Sequence, residues 1–133
     1  METLRDFIKN NVNVAFATSI DNQPELRILQ VMFVRDNEFY FATNAGKDVY
    51  KQIQSNPKVA FMASSGMIFA RIDGICLFDI DDNTKREVYE KNPILQAIFK
   101  NYQDIAYFKV QAKQATYYDL GTQPITDKKY NFD

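Results

Sequence analysis

NVAFATSIDNQPELRILQVMFVRDNEFYFAT, residues 13–43, decides what kind of fold this chain can take. Its first part alternates: Val12, Val14, Phe16 and Thr18 fall on one face, and Ala15 and Ala17 on the other. A period of two marks a strand with one side buried. Asp21-Asn22-Gln23-Pro24 then reads as a turn, because Asp and Asn tolerate turn geometry and Pro fixes one dihedral. A long second strand is expected from Leu26 to Val34, a second turn at Arg35-Asp36-Asn37, and a third strand at Glu38–Thr43. Strands joined by turns this short run in opposite directions, so the pattern predicts an antiparallel meander.

Downstream, FATNAGKDVYKQI (residues 41–53) passes from strand to helix. Val49, Tyr50 and Ile53 sit at helical spacing, and Asn56-Pro57 ends the helix expected over Lys47–Ser55. A fourth strand is expected from Lys58, a tight turn at Ser64–Met67, and a long fifth strand over Ile68–Ile80 in which Gly74 marks a bulge or bend. Residues 81–92 predict a helix, with Thr84 and Glu87 at capping-box spacing and two aspartates at its positive end. A second short helix follows over Pro93–Tyr102, then a final strand or pair of strands over Ile105–Leu120. Residues 1–11 suit a short helix, and the tail after Gly121 has no clear period. With no internal repeat and no linker, residues 1–133 are expected to form a single mainly β domain, an antiparallel barrel with short flanking helices.

Composition narrows the function classes. The chain carries 16 basic and 17 acidic residues, a net charge of -1, so no basic surplus points to nucleic acid. Its one cysteine, Cys76, admits no intramolecular disulfide, lies in an apolar strand as a buried inert thiol would, and fits a reducing cytoplasm. METLRDFIKNN is too charged for a signal peptide, and nothing approaches the ~20 apolar residues of a membrane span. A cytoplasmic protein with no membrane partner is expected. There is no histidine. That removes the usual general base near neutral pH, the commonest metal ligand and the Ser-His and Cys-His nucleophile pairs. No metal site is expected and no catalytic residue is assigned. Any chemistry would have to come from an organic cofactor.

Two stretches offer binding chemistry. The turn after Thr43 leads through Asn44 to Lys47, where a helix begins. A helix N-terminus presents free N–H groups and favours an anion. Thr43 adds a hydroxyl, Lys47 a charge, and Arg27 on the neighbouring strand a fork of donors for phosphate oxygens. A plain strand-to-helix joint with a solvated lysine accounts for the same residues, and the P-loop pattern is absent. In RILQ (27–30), alternation places Arg27 and Leu29 on one face and Ile28 and Gln30 on the other. The main chain here suits hydrogen bonding to a ligand, with Gln30 beside it. Arg71 and Asp73 share one strand face and read as a surface pair.

Four stretches, in order, are VAFATSIDNQPELRILQVMFV, FYFATNAGKDVYKQIQSNPKVAF, ARIDGICLFDIDDNTKREVYEKNP and FKVQAKQATYYDL. In these the chain resembles the pyridoxamine 5'-phosphate oxidase-like, FMN-binding split-barrel proteins, in particular their small single-domain bacterial members. The resemblance implies a six-stranded antiparallel Greek-key split β-barrel with flanking short helices, forming a homodimer with FMN at the interface. It implies that Arg27 and Lys47 clamp the FMN phosphate, that Thr43 and Asn44 support it from the turn, and that the ring lies against the backbone of Ile28, Leu29 and Gln30. The chain departs from the full-length oxidases at Gly46, where they carry an arginine, and at Phe69, where they carry a glutamine. The tail TDKKYNFD lacks their arginine and histidine, so pyridoxine phosphate is not the expected substrate. The lack of histidine also separates the chain from the haem-degrading and nitroimidazole-reducing relatives. The function implied is a flavin-dependent oxidoreductase of unknown substrate. The alternatives are a non-enzymatic flavin-binding, stress-related or electron-transfer protein, and a split barrel using a deazaflavin or no cofactor.

Overall fold

In the computed structural model, which describes residues 1–132, the alternating stretches become one curled antiparallel sheet. Strands β1 (Asn13–Ile20) and β2 (Gln23–Gln30) pair along their whole length, from Asn13 opposite Gln30 to Ile20 opposite Gln23. Asp21 and Asn22 make the turn alone, with φ of 50° and 65°. Short polar side chains tolerate that left-handed geometry, and it matches the twist of a hairpin. Pro24 therefore lies in the strand rather than the turn, and β2 is a terminal strand, where a missing N–H is tolerated.

The second strand expected over Leu26–Val34 is two strands. β2 stops at Gln30, and β3 (Phe33–Arg35) begins after two intervening residues. At the bend, the Val31 N–H donates to the Val12 carbonyl at 2.8 Å and the Met32 N–H to the Tyr40 carbonyl at 2.8 Å. The chain changes neighbours here, which an unbroken apolar run does not reveal. β3 then turns through Asp36 into β4 (Glu38–Thr43).

Helix α2 (Asp48–Ser55) follows, then the hairpin of β5 (Lys58–Ser65) and β6 (Ile68–Leu77), so β6 ends three residues short of the expected Ile80. β7 (Ala106–Asp119) pairs with β6, with β4 through residues 106–111, and with β8 (Thr126–Asn131) through residues 114–119. β8 lies in the tail that showed no period, and its exposed lysines explain the missing signal. The sheet thus has eight strands rather than six, in the order β2-β1-β5-β6-β7-β4-β3 with β8 on β7, and its path does not close.

Helix α1 (Glu2–Asn10) precedes the sheet, and α3 (Asp82–Glu90) and α4 (Pro93–Ile98) lie between β6 and β7. Residues 102–104 form a 3-10 turn rather than the end of α4. The capping box expected at Thr84 and Glu87 does not form. Asp81 is the cap, its Oδ1 accepting the Thr84 N–H at 2.7 Å, while Thr84 itself is buried. A carboxylate one turn earlier supplies the same acceptor with a charge suited to the helix dipole.

The curled sheet encloses five phenylalanines, Phe16, Phe39, Phe41, Phe61 and Phe108, each at most 2% exposed. Phe16 meets Phe41 at 5.1 Å between centroids, and Phe41 stacks on Phe108 at 5.2 Å. Leu4 and Ile8 of α1 and Val49 and Ile53 of α2 join the same core. A second cluster, with Tyr40, Val88, Leu95, Ile105 and Tyr107, lies under α3 and α4.

Gly74 is the expected bulge: the β6–β7 register shifts between Asp73 and Gly74. A Cβ at this position would collide with the carbonyl oxygen of Gln111 and come within 2.8 Å of Val110 Cγ1. Gly74→Ala is expected to destabilise the protein by about 1–3 kcal/mol through overpacking. The change should appear as a lower urea midpoint with an unchanged slope.

Candidate functional site

The site is built where β2 faces the start of α2. Asn44 shapes the approach: its Oδ1 accepts the Gly46 N–H at 2.9 Å and its carbonyl accepts the Lys47 N–H at 3.1 Å. Lys47 is then the N-cap of α2, with extended backbone, and its carbonyl accepts from Tyr50 and Lys51. The first N–H groups of α2 lie at this end, the positive end of the helix dipole.

Around this helix start lies a groove of about 450 Å³, lined by Glu25, Arg27, Ile28, Leu29, Thr43, Lys47, Asp48, Val49 and Gln52. The structure thus brings together Arg27, Ile28, Leu29, Thr43 and Lys47 of the residues selected from sequence. It places two of them elsewhere. Gln30 lines a separate groove, and Asn44 directs its side chain to its own turn.

Arg27 is held from behind. Its Nη2 donates to Gln52 Oε1 at 2.7 Å, and its Nη1 donates to Thr18 Oγ1 at 2.9 Å and the Phe16 carbonyl at 3.3 Å. Thr18 in turn donates to Gln52 Oε1 at 2.7 Å. Three of the five guanidinium N–H donors are used in this way, which leaves two for a ligand. Partial burial lowers the Arg27 pKa, while Glu25 and Asp48 raise it. An arginine remains charged throughout. The groove's two cations, Arg27 and Lys47, face two carboxylates, Glu25 and Asp48. An anion here would be selected by directed hydrogen bonds more than by net field.

Thr18 and Gln52 were not picked out from sequence. For Thr18 the signal was present: it is a polar residue on the buried face of β1, 3% exposed. Gln52 carried none, because a glutamine beside Ile53 on a short helix is ordinary.

On the opposite face of the sheet, Ala15, Ala17, Leu26, Ala60, Phe61, Met62 and Arg71 line a shallow apolar depression. Leu26 is 71% and Ile28 65% exposed. Arg71 and Asp73 form the expected surface pair, Nη2 to Oδ1 at 2.7 Å. Cys76 is buried, and burial pushes its thiol up to about 12. Among the described residues no His, Cys, Asp and Glu cluster suits a metal ion, and no helix is long and apolar enough to cross a membrane.

The description "Pyridoxamine 5'-phosphate oxidase" belongs to the family whose sequence model matches residues 1–118. No curated protein matches the chain. Among solved structures, a NimC/NimA family protein from Clostridium acetobutylicum is similar at 20% identity, over 99% of this chain and 92% of that one, with a TM-score of 0.82. General Stress Protein 26 from Bacillus anthracis is similar at 16% identity, over 98% and 97%, with a TM-score of 0.81. A heme binding protein from Mycobacterium smegmatis is similar at 10% identity, over 96% of this chain and 56% of that one, with a TM-score of 0.74. At such identities the likeness shows the fold alone.

Two outcomes test this geometry. Gln52→Ala should lower stability by about 0.5–1.5 kcal/mol in denaturant unfolding, while Gln52→Glu, which keeps an acceptor for Arg27, should lose less. Cys76 should resist a disulfide reagent in the folded protein and react fully in denaturant. Because its folded pKa lies above the ordinary 9.0, its contribution to stability is complete below that pH and declines as pH rises toward about 12.

Proposed function

Because the chain belongs to the pyridoxamine 5'-phosphate oxidase family, we propose that it is an FMN-binding, flavin-dependent oxidoreductase that works as a homodimer in the cytoplasm. The observation that carries this reading is the convergence of Arg27 from β2 and Lys47 from the start of α2 on one groove, with Thr43 beside them. Two cations, a hydroxyl and a helix N-terminus suit the terminal phosphate of FMN.

The residues fit the rest of the cofactor as well. Beyond Arg27, the strand continues through Ile28, Leu29 and Gln30, and among the described residues β2 has a strand partner on one edge only. Its free main-chain groups are the donors and acceptors that would face the ring. Asn44 would act indirectly, by holding the turn that sets Lys47 in place. FMN, when bound, supplies the redox chemistry; the chain's residues bind and orient it. Gln52 and Thr18 would keep the Arg27 fork aimed before the ligand arrives.

The apolar outer face supports the dimer. Leu26, Ile28 and Met62 are exposed together around Ala15 and Ala17. A second copy laid on this face would cover it and bring its surface against the strand that carries Ile28. The open, curled sheet is read as the split barrel, with β2 and β3 at the split.

Binding measured by flavin fluorescence tests the assignment. The protein should bind FMN more tightly than riboflavin, and Arg27→Ala combined with Lys47→Ala should weaken FMN by at least ~100-fold while changing riboflavin little. Equal loss for both ligands would place the phosphate elsewhere, and a wild-type protein indifferent to FMN would end the flavin reading.

A further inference from the structure

The groove around Arg27 holds more charge than its two cations. Glu25 lies two residues before Arg27 on β2, so strand alternation sends both side chains to one face. Asp48 is the first residue of α2, next to Lys47. All four line the cavity, and the charges of Arg27 and Lys47 balance those of Glu25 and Asp48. The other elements bring no charge: Thr43 comes from β4, Gln52 from α2, and Thr18 from β1 stands behind Arg27.

The fold does not use either carboxylate. Among the described residues Glu25 and Asp48 take part in no ion pair and accept no hydrogen bond. Both stand near enough to Arg27 to act on it: burial lowers its pKa, and Glu25 and Asp48 raise it. Arg27 nonetheless gives its donors to Phe16, Thr18 and Gln52. Asp48 has an ordinary account, since a carboxylate in the first turn suits the helix dipole. Glu25 has no such account. It is half-buried, opposite Thr18 in the β1–β2 ladder, and unpaired although two cations line the same cavity.

A phosphate monoester carries one charge or two near neutral pH, because its second ionisation lies at about 6. Two cations alone would favour the doubly charged form. With two carboxylates beside them, a dianion meets more repulsion than a monoanion does. A carboxylate only accepts hydrogen bonds, so it can make none with a fully ionised phosphate. A phosphate that keeps one proton has an O–H to donate, and a carboxylate is a strong acceptor for it.

We infer that Glu25 selects the singly ionised form of the bound phosphate, accepting the hydrogen bond of its remaining proton while Arg27 and Lys47 hold the other oxygens. Asp48, exposed at the helix start, adds to the same preference through its field. Glu25 is thus a specificity residue. Binding is tightest below the second phosphate ionisation and loosens as pH rises through it. The inference rests on reading this groove as the FMN phosphate site.

The test measures FMN affinity of the full chain by flavin fluorescence at about pH 5.5 and about pH 7.5, on either side of that ionisation. Riboflavin, which has no phosphate, controls for changes in the protein itself. FMN should bind about tenfold more weakly at the higher pH, while riboflavin changes little. Glu25→Gln should raise FMN affinity at the higher pH by about tenfold and remove the pH dependence, and Asp48→Asn should act in the same direction but less. Phosphorus NMR of bound FMN should show the singly ionised phosphate persisting at the higher pH in the wild-type protein and not in Glu25→Gln. Because Glu25 has no partner in the fold, the variant should keep its thermal unfolding midpoint. FMN affinity that is flat or rises with pH, a doubly ionised bound phosphate, or a Glu25→Gln variant no tighter than wild type would each overturn the inference. The phosphate site itself stands in those cases if FMN still outbinds riboflavin through Arg27 and Lys47. Loss of that difference at both pH values ends the site and this inference with it.

Discussion

Five phenylalanine rings that must leave water together set the form of this protein. Phe16, Phe39, Phe41, Phe61 and Phe108 come from four different strands, and no flat sheet brings them all into contact. The sheet curls, and α1 and α2 plug the core with Leu4, Ile8, Val49 and Ile53. Truncating a buried phenylalanine of this kind to alanine typically costs about 3–5 kcal/mol, so several such contacts dominate the stability of a small domain. The candidate site follows from this packing. Burying Val49 and Ile53 fixes α2, and fixing α2 puts Lys47 and Gln52 opposite Arg27.

That arrangement says something about how the site is prepared. Arg27 is tied to Thr18 and Gln52 by short hydrogen bonds within the chain itself. A long side chain already held gives up less conformational freedom on binding. Glu25 and Asp48 balance the two cations, so the groove does not attract anions indiscriminately.

Much of this was legible in the sequence where period and chemistry agree. β1 and β4 match their predicted bounds, since alternating Phe and Val residues leave one possible register. Gly74 announced its bulge. Arg27 and Lys47 could be selected because a cation on a strand and another at a helix start are unusual. The failures have physical causes. The bend at Val31-Met32 lies within an apolar run and depends on carbonyls of Val12 and Tyr40, which local pattern cannot supply. β8 is polar and pairs through its backbone. Gln30 is the last residue of β2, at the bend where the chain leaves the strand, and this puts it past the Arg27 groove. Gln52 gained its importance only once the fold had placed it.

β7 carries a consequence of a different kind. It is the common neighbour of β4, β6 and β8, and it lies in the last third of the chain. β4 pairs with it from Glu38 opposite Gln111 to Thr43 opposite Ala106, so the two halves of that ladder are made far apart in time on the ribosome. Until β7 emerges, the β1–β2 and β5–β6 hairpins can form locally, but Phe39 and Phe41 have no Val110 or Phe108 to meet. Long-range pairing of this sort slows folding and leaves apolar strand surface open to other chains. The core therefore cannot close before β7 is made, and the sheet becomes cooperative only when its most connected strand joins.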